Sequence, residues 1–206
     1  MGLFDFLTYN KFKQKKWKRL SPKKRLNAFQ KMENIVARKK NRPVMAVIPQ
    51  DWNDGTNGLC DYSKKTIFLN SKFCLDEEKQ FLGLATLFHE QRHSEQYFII
   101  STKKKLFKLS KAYRWKKNME GYINYDGKEK YSYYSMQEVE RDANKHAINY
   151  LKKFKYRYRK EQLYFYTLDY KIKQYDNVKD LAKKELGFFY RLKLLFRERR
   201  ERKKNK

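Results

Sequence analysis

A pair of histidines four residues apart closes the most apolar stretch of the chain, and this feature constrains the fold more than any other. The stretch from Phe81 to Phe88 is apolar on nearly every side of a helix, which predicts a buried helix. His89 and His93 follow directly, separated by the residues Glu-Gln-Arg. Side chains four residues apart project from the same helical face. The fold must therefore enclose a helix that presents two imidazoles together at one point.

Two imidazoles placed in this way can bind one zinc ion, whose bonds to histidine nitrogen are about 2.0 to 2.1 Å long. Glu90 lies beside the first histidine and can accept a proton from water that the metal acidifies. This combination of groups hydrolyses amide bonds. A chance occurrence of the pattern is the alternative, but its position on a capped, buried helix after a hairpin favours a metal site.

A catalytic zinc ion needs a third protein ligand, and a second helix from about Met136 to Phe154 offers three carboxylates. The apolar face of this helix is centred on Ala143. At about 100° per residue, Glu140 lies about 60° from that centre, whereas Glu138 lies about 140° away. Helical geometry therefore favours Glu140 as the third ligand.

The other two carboxylates of this helix have local explanations. Glu138 ends a predicted capping box that starts at Ser135, in which its carboxylate reaches back to the start of the helix. Asp142 is more peripheral, at roughly 100° from the apolar stripe, and is predicted to support the site or to lie at the surface. A solvated side chain is the alternative for Glu140, and the choice between Glu140 and Glu138 stays open.

The two halves of this pattern together resemble the gluzincins, a group of zinc metallopeptidases. In that group HExxH is followed on a later helix by Glu-x-x-Ala-(Asp/Asn)-x-x-Ala, and residues 140–147 read Glu-Arg-Asp-Ala-Asn-Lys-His-Ala. The resemblance covers roughly residues 44–155 and is especially to small intracellular members that cleave phage repressors. It implies a zincin-like domain with His89, His93 and Glu140 as zinc ligands, Glu90 as general base and Asn144 as a group that steadies a ligand.

A further donor to the transition state is not fixed by the sequence. His146 lies two residues after Asn144 and could donate a hydrogen bond to the tetrahedral intermediate. A simply packed histidine is the alternative. A tyrosine between Tyr113 and Tyr134 could serve instead.

The segments before the first ligand helix predict a small sheet. A strand is predicted over Val44–Ile48, bounded by prolines, and a hairpin is predicted from Leu59–Tyr62 and Thr66–Asn70. Asp76 is predicted to cap the first ligand helix, with Glu77 as its first residue. The fold class is therefore predicted to be α+β, with the sheet and hairpin packed on the HExxH helix and the second ligand helix.

This zincin-like domain is predicted to span residues 43–155, with an insertion over about residues 100–134. Basic helical extensions are predicted on both sides, over residues 1–42 and 156–206. The first extension is predicted to be helical from residue 11 to residue 42, because Ser21-Pro22 is a helix-start signal and Pro43 ends the pattern.

Charge is concentrated in the extensions. Residues 1–42 hold 14 basic and 2 acidic side chains, whereas residues 43–101, which contain the histidine pair, hold 5 basic and 8 acidic ones. The whole chain has a formal charge of +28, which implies attraction to polyanions. Lys11–Arg25 and Lys152–Arg159 mix cations with aromatic residues, and this composition suits phosphate contacts combined with stacking on bases. The aromatic residues are Phe12 and Trp17 in the first segment and Phe154, Tyr156 and Tyr158 in the second.

Two alternatives to a peptidase follow from this charge. The first is a non-catalytic protein with a zincin fold that binds nucleic acid through its basic flanks. The second, which ranks after it, is binding to an anionic membrane through residues 186–206. Helices packed on the core with lysines extending into solvent would explain the same composition.

A cytoplasmic location is predicted from three observations. The two cysteines, Cys60 and Cys74, lack CxxC spacing, the order of apolar and basic residues at the N-terminus is the reverse of a signal peptide, and no stretch approaches about 18 apolar residues. The sequence therefore predicts a cytoplasmic zinc peptidase acting on protein or peptide substrates. It does not set the oligomeric state.

Overall fold

The computed structural model describes residues 3–102, 110–122, 134 and 137–153. By its internal contacts the chain divides into two compact units. Every helix and strand given below belongs to the first unit. Of the second unit Tyr122, Tyr134 and Gln137 are described, and the rings of the two tyrosines lie edge to face with centroids 6.0 Å apart.

The described part of the first unit contains seven helices and a three-stranded sheet, so the predicted α+β class is confirmed. The zincin-like detail stays a prediction. The helices are α1 (Leu3–Lys11), α2 (Gln14–Trp17), α3 (Pro22–Lys39), α4 (Lys72–Leu75), α5 (Gln80–Thr102), α6 (Lys111–Glu120) and α7 (Glu138–Lys153). The strands are β1 (Ala46–Gln50), β2 (Gly58–Asp61) and β3 (Thr66–Asn70).

Strand β3 lies at the centre of the sheet, parallel to β1 and antiparallel to β2. The β2–β3 hairpin forms where the sequence predicts it, although β2 begins one residue earlier and ends one residue earlier than expected. Strand β1 begins at Ala46 and ends at Gln50, two residues later than the predicted strand. The sequence pattern predicts that the strand ends before Pro49, but β1 continues through it. Proline is tolerated there because β1 is an edge strand, where a missing N–H needs no partner.

The N-terminal helices pack their aromatic side chains into the main core. Phe12, Trp17 and Phe29 are fully buried, with ring centroids 5.3 Å apart in each pair. The prediction that Phe12 and Trp17 stack on bases is therefore wrong, because neither ring can reach a ligand. The predicted helix over residues 11–42 is also interrupted, since α2 ends at Trp17 and α3 begins at Pro22. The predicted domain boundary at residue 43 stays a prediction.

Helix α5 is buried along most of its length, as its apolar sequence predicts. It begins at Gln80 and not at Glu77, because Asp76 Oδ1 accepts the N–H of Glu78 at 2.7 Å and forms a turn ahead of the helix. Close packing fixes this part of the helix: a Cβ on Gly83 would lie 2.7 Å from Phe29. None of the described helices combines the length and apolar character needed to cross a bilayer.

Helix α7 packs against α5 along its length. Its buried residues Val139, Ala143, Ala147 and Leu151 recur every four positions, which gives one face to the core. Helix α6 lies inside the predicted insertion. The predicted capping residue Ser135, the C-terminal extension, and residues 103–109 and 123–133 of the insertion lie outside the described residues.

Candidate metal centre

The packing of α5 on α7 brings three predicted ligands together. His89 and His93 project from one face of α5, and Glu140 lies on the core-facing side of α7, next to Val139. All three side chains are buried, and their ligand atoms lie within 4.8 Å of one another. The cluster could hold a metal ion. Glu138 lies elsewhere, with Arg114 Nε donating to its carboxylate at 3.0 and 3.1 Å.

The distances within this cluster fit a tetrahedral zinc site. The two Nε2 atoms are 2.9 Å apart, and each lies 3.2 Å from an oxygen of Glu140. Two zinc bonds of about 2.0 to 2.1 Å at a tetrahedral angle separate their ligand atoms by about 3.3 Å. The triangle therefore needs only a slight expansion to accept the ion.

Hydrogen bonds on the far side of each ring fix its orientation. Nδ1 of His89 lies 2.8 Å from Asn144 Oδ1, and Nδ1 of His93 lies 2.9 Å from Gln96 Oε1. Because both oxygens are acceptors, each Nδ1 is assigned as the donor, which leaves a lone pair on each Nε2. Two lone pairs facing one another across 2.9 Å require a cation or a proton between them. The donor set thus fits a metal ion.

Gln96 is itself held in place. Its amide nitrogen donates to the carbonyl of Val139 and to Asp142 Oδ2, both at 3.1 Å. Asp142 also accepts hydrogen bonds from Arg92, at 2.6 Å, and from Lys111. Burial opposes ionisation of Asp142, but the hydrogen bond from Arg92 and that from Lys111 lower its pKa below the ordinary value. A charged network therefore supports His93 through one amide.

The electrostatics of the cluster favour a positive charge between the rings. Burial lowers the pKa of His93, but the Glu140 carboxylate more than offsets this and raises the pKa to about 9. Burial likewise disfavours the charged form of Glu140, yet the charge of His93 and hydrogen bonds from both rings lower its pKa well below the usual range. A divalent cation bound between the rings would supply this positive charge in place of a proton.

Glu90 lies beside the cluster in a closed environment. Its side chain is buried, and burial, the largest influence, raises the pKa of its carboxyl, while the two histidines oppose the rise. The backbone of Cys60 in β2 also opposes the rise, by a smaller amount. A raised pKa moves a carboxylate closer to the range in which it acts efficiently as a general base near neutral pH.

His146 and several tyrosines were the predicted donors of a hydrogen bond to the tetrahedral intermediate. His146 stacks on Tyr150 with ring centroids 4.6 Å apart, and burial lowers its pKa to about 3, so the ring is neutral at pH 7. Its predicted hydrogen bond to a reacting group stays a prediction. Of the tyrosines predicted as alternatives, those over residues 123–133 lie outside the described part.

Two residues near the site were missed by sequence reasoning. Gln96 lies one turn after His93, and Tyr97, which is 39% exposed, lies four residues after it on the same helix. Burial raises the pKa of Tyr97, with smaller contributions from Cys60 and Glu140. Their spacing of three and four residues from a ligand was the available signal, since such side chains share its face.

Comparisons of the chain with known proteins do not assign it to a family. No family model, no curated protein and no solved structure matches the chain. The candidate metal centre is therefore inferred from the side chains of α5 and α7 alone.

Proposed function

We propose that this protein is an intracellular zinc-dependent peptidase. The single observation that carries the proposal is the convergence of His89, His93 and Glu140 in one buried cluster, with a second carboxylate, that of Glu90, beside it. Two histidines and one glutamate are a ligand set of catalytic zinc sites, and such a set leaves a position for water or substrate.

Each side chain has a separate task in this proposal. His89, His93 and Glu140 would hold the ion, while Asn144 and Gln96 keep the two rings oriented through their Nδ1 atoms. A bound zinc ion would lower the pKa of water and polarise the scissile carbonyl. Glu90 accepts a proton from the attacking water and delivers it to the departing amine, so the base becomes the acid of the second step.

The metal is tested first, by elemental analysis of the purified full chain. We expect about one zinc per chain in the wild type and in Glu138→Gln, and almost none in Glu140→Gln. Glu138 is a matched control because it belongs to the same helix but binds Arg114. Absence of zinc from the wild type, or equal zinc in both variants, would contradict the site.

Catalysis is tested with a mixed library of quenched fluorescent peptides. The zinc-loaded wild type is expected to cleave library members, and Glu90→Gln is expected to keep its zinc while cleaving at least about 100-fold more slowly. Equal rates would remove Glu90 as the base. A zinc-loaded wild type that cleaves nothing would contradict the peptidase proposal while leaving the metal site intact.

A further inference from the structure

A second charged region of the molecule lies on α3 and takes no part in the metal centre. The outward side of this helix consists of cations and amides that are all exposed to solvent. At about 100° per residue they occupy about 100° of the circumference. We name this surface the cation face, and it consists of Lys23, Lys24, Asn27, Lys31, Asn34 and Arg38.

The only acidic side chain of α3 does not reduce the charge of this face. Glu33 points into the core, where it is fully buried and binds Arg42 through contacts of 2.6 and 2.8 Å. The pair is neutral as a unit and is hidden from solvent. The outward side of α3 therefore carries positive charge without a carboxylate.

Several of these cations are also left unneutralised by the rest of the fold. Within the part of the chain that the structure describes, Lys23, Lys24 and Lys31 form no ion pair. The same holds for three exposed lysines just before α3, which are Lys13, Lys15 and Lys16. Some lysines elsewhere find partners, as Lys40 does with Glu95 at 3.2 Å, whereas Lys65 and Lys145 also form no ion pair among the described residues. At α2 and α3, six such lysines lie close together in the sequence.

The spacing of the cations suits a regular polyanion. Lys24 and Lys31 are seven residues apart, which is about 10.5 Å along the helix axis, close to the length of three base pairs of a duplex. Asn27 lies between them, and its side-chain amide can donate hydrogen bonds to phosphate oxygens.

We propose that the cation face binds the phosphate backbone of nucleic acid without reading the base sequence. Base stacking is excluded for Phe12 and Trp17, because both rings are in the core. The affinity therefore comes from phosphate contacts and falls steeply with salt. This function goes beyond peptide hydrolysis, and it would hold the metal centre near proteins that are bound to nucleic acid.

The same face is poorly suited to a lipid surface. A helix that binds at a membrane interface inserts an apolar side into the acyl boundary. The apolar side of α3 is already used by the core, where Phe29, Met32 and Val36 are buried. The six residues of the cation face include no apolar side chain. Charge complementarity without an apolar wedge favours nucleic acid.

The test measures binding of the full chain to a fluorescein-labelled duplex of about 20 base pairs of arbitrary sequence, by anisotropy across a salt titration. The test variant is Lys24→Gln/Lys31→Gln. Its matched control is Lys65→Gln/Lys145→Gln, which removes two lysines that are equally exposed and form no ion pair among the described residues. Both variants lose the same charge, and the remaining basic residues contribute equally to each.

We expect the test variant to bind at least about tenfold more weakly than the control near 0.1 M salt, with a salt slope smaller by about 2. Equal binding by the two variants would overturn the proposal, because affinity would then follow net charge alone. Glu140→Gln is expected to bind the duplex like the wild type, so failure of the metal centre and failure of the cation face are distinguishable.

A parallel measurement uses flotation with vesicles containing about 30% phosphatidylserine. The proposal predicts that the test variant and its control float equally, while only the test variant loses duplex affinity. Loss of flotation without loss of duplex affinity would assign the face to lipid and overturn the proposal. Circular dichroism melts of both variants should match the wild type, which establishes that the folds are intact.

Discussion

Helices α3 and α5 use charged side chains in opposite ways. On α5 the ionisable groups His89, Glu90 and His93 are buried, and the specific partners around them include Glu140 and Asn144 from α7. On the outward side of α3 the lysines are exposed and, among the described residues, Lys23, Lys24 and Lys31 have no ion-pair partner. The sequence is dominated by the second kind of charge, and the first kind forms the candidate metal centre.

The comparison teaches that the net charge of a chain reports its exposed groups and says little about its enclosed ones. Enclosed charges are costly to bury unless they are paired, so each of them requires a specific neighbouring group as its partner. Exposed charges cost little to keep and are screened over about 8 Å at physiological salt. Changes to enclosed groups should therefore have large, local effects on stability, whereas changes to exposed groups should mainly affect binding.

The largest effect on stability is expected at the enclosed pair of α3. Arg42→Met leaves Glu33 buried without its partner, which should reduce the free energy of unfolding by about 3–5 kcal/mol. Urea denaturation measures this difference. The double variant Glu33→Met/Arg42→Met should recover much of the loss, because it removes both charges. A loss below about 1 kcal/mol in the single variant would show that the pair is not effectively enclosed.

The next effect concerns metal affinity. Gln96→Leu removes the acceptor that orients His93 and should weaken zinc binding by about 10 to 100-fold, measured by competition with a chelator. Gln91→Leu is the matched control on the same helix, because the Gln91 amide is buried and has no hydrogen-bond partner among the described residues. Equal affinities for the two variants would show that the contact with His93 does not support the ligand.

A pH effect is expected from His146. Its folded pKa of about 3 lies below the unfolded value near 6.5, so the unfolded chain binds a proton that the folded chain excludes. The contribution of His146 to the free energy of unfolding is fully present above pH 6.5 and falls as the pH is lowered toward 3. Between pH 7 and pH 5 the wild type should lose about 2 kcal/mol more than His146→Phe, which keeps the ring against Tyr150.

Urea denaturation of both proteins at the two pH values tests this difference. Identical losses would show that the ring is accessible to solvent and contradict its burial.

The smallest effect on stability is expected at the cation face. Lys24→Gln/Lys31→Gln should change the free energy of unfolding by no more than about 0.5 kcal/mol, because the two side chains are exposed. Thermal and urea denaturation both measure it. A loss above about 1 kcal/mol would show that these lysines support the fold, which would remove the contrast with α5.

The cluster of His89, His93 and Glu140 could be predicted because it depends on local periodicity. His89 and His93 share a face by their spacing, and the stripe of α7 turns Glu140 and not Glu138 toward α5. The hairpin was predictable for the same reason, since its alternation and turn are local. The angle of about 60° from the apolar centre favoured Glu140 over Glu138 but left the choice between them open.

Other features depend on contacts between distant segments and could not be read from the sequence. Phe12 and Trp17 lie among lysines in the sequence, and only their packing on Phe29 shows that they are buried. The start of α5 at Gln80 depends on Asp76, whose side chain accepts a hydrogen bond within a turn and does not cap the helix. The support of His93 through Gln96 and Asp142 requires the register of α5 against α7.

One glycine determines how near the hairpin comes to α5. A Cβ on Gly58 would lie 2.6 Å from Thr86 Cγ2 and 3.2 Å from Glu90 Cγ, so any larger residue would push the strand away from the helix. Cys60, whose backbone lowers the pKa of the Glu90 carboxyl, lies two residues along the same strand and would move with it. The basicity of the proposed catalytic carboxylate is thus adjustable from a position that has no functional group, and a redesign of the pH optimum could begin there.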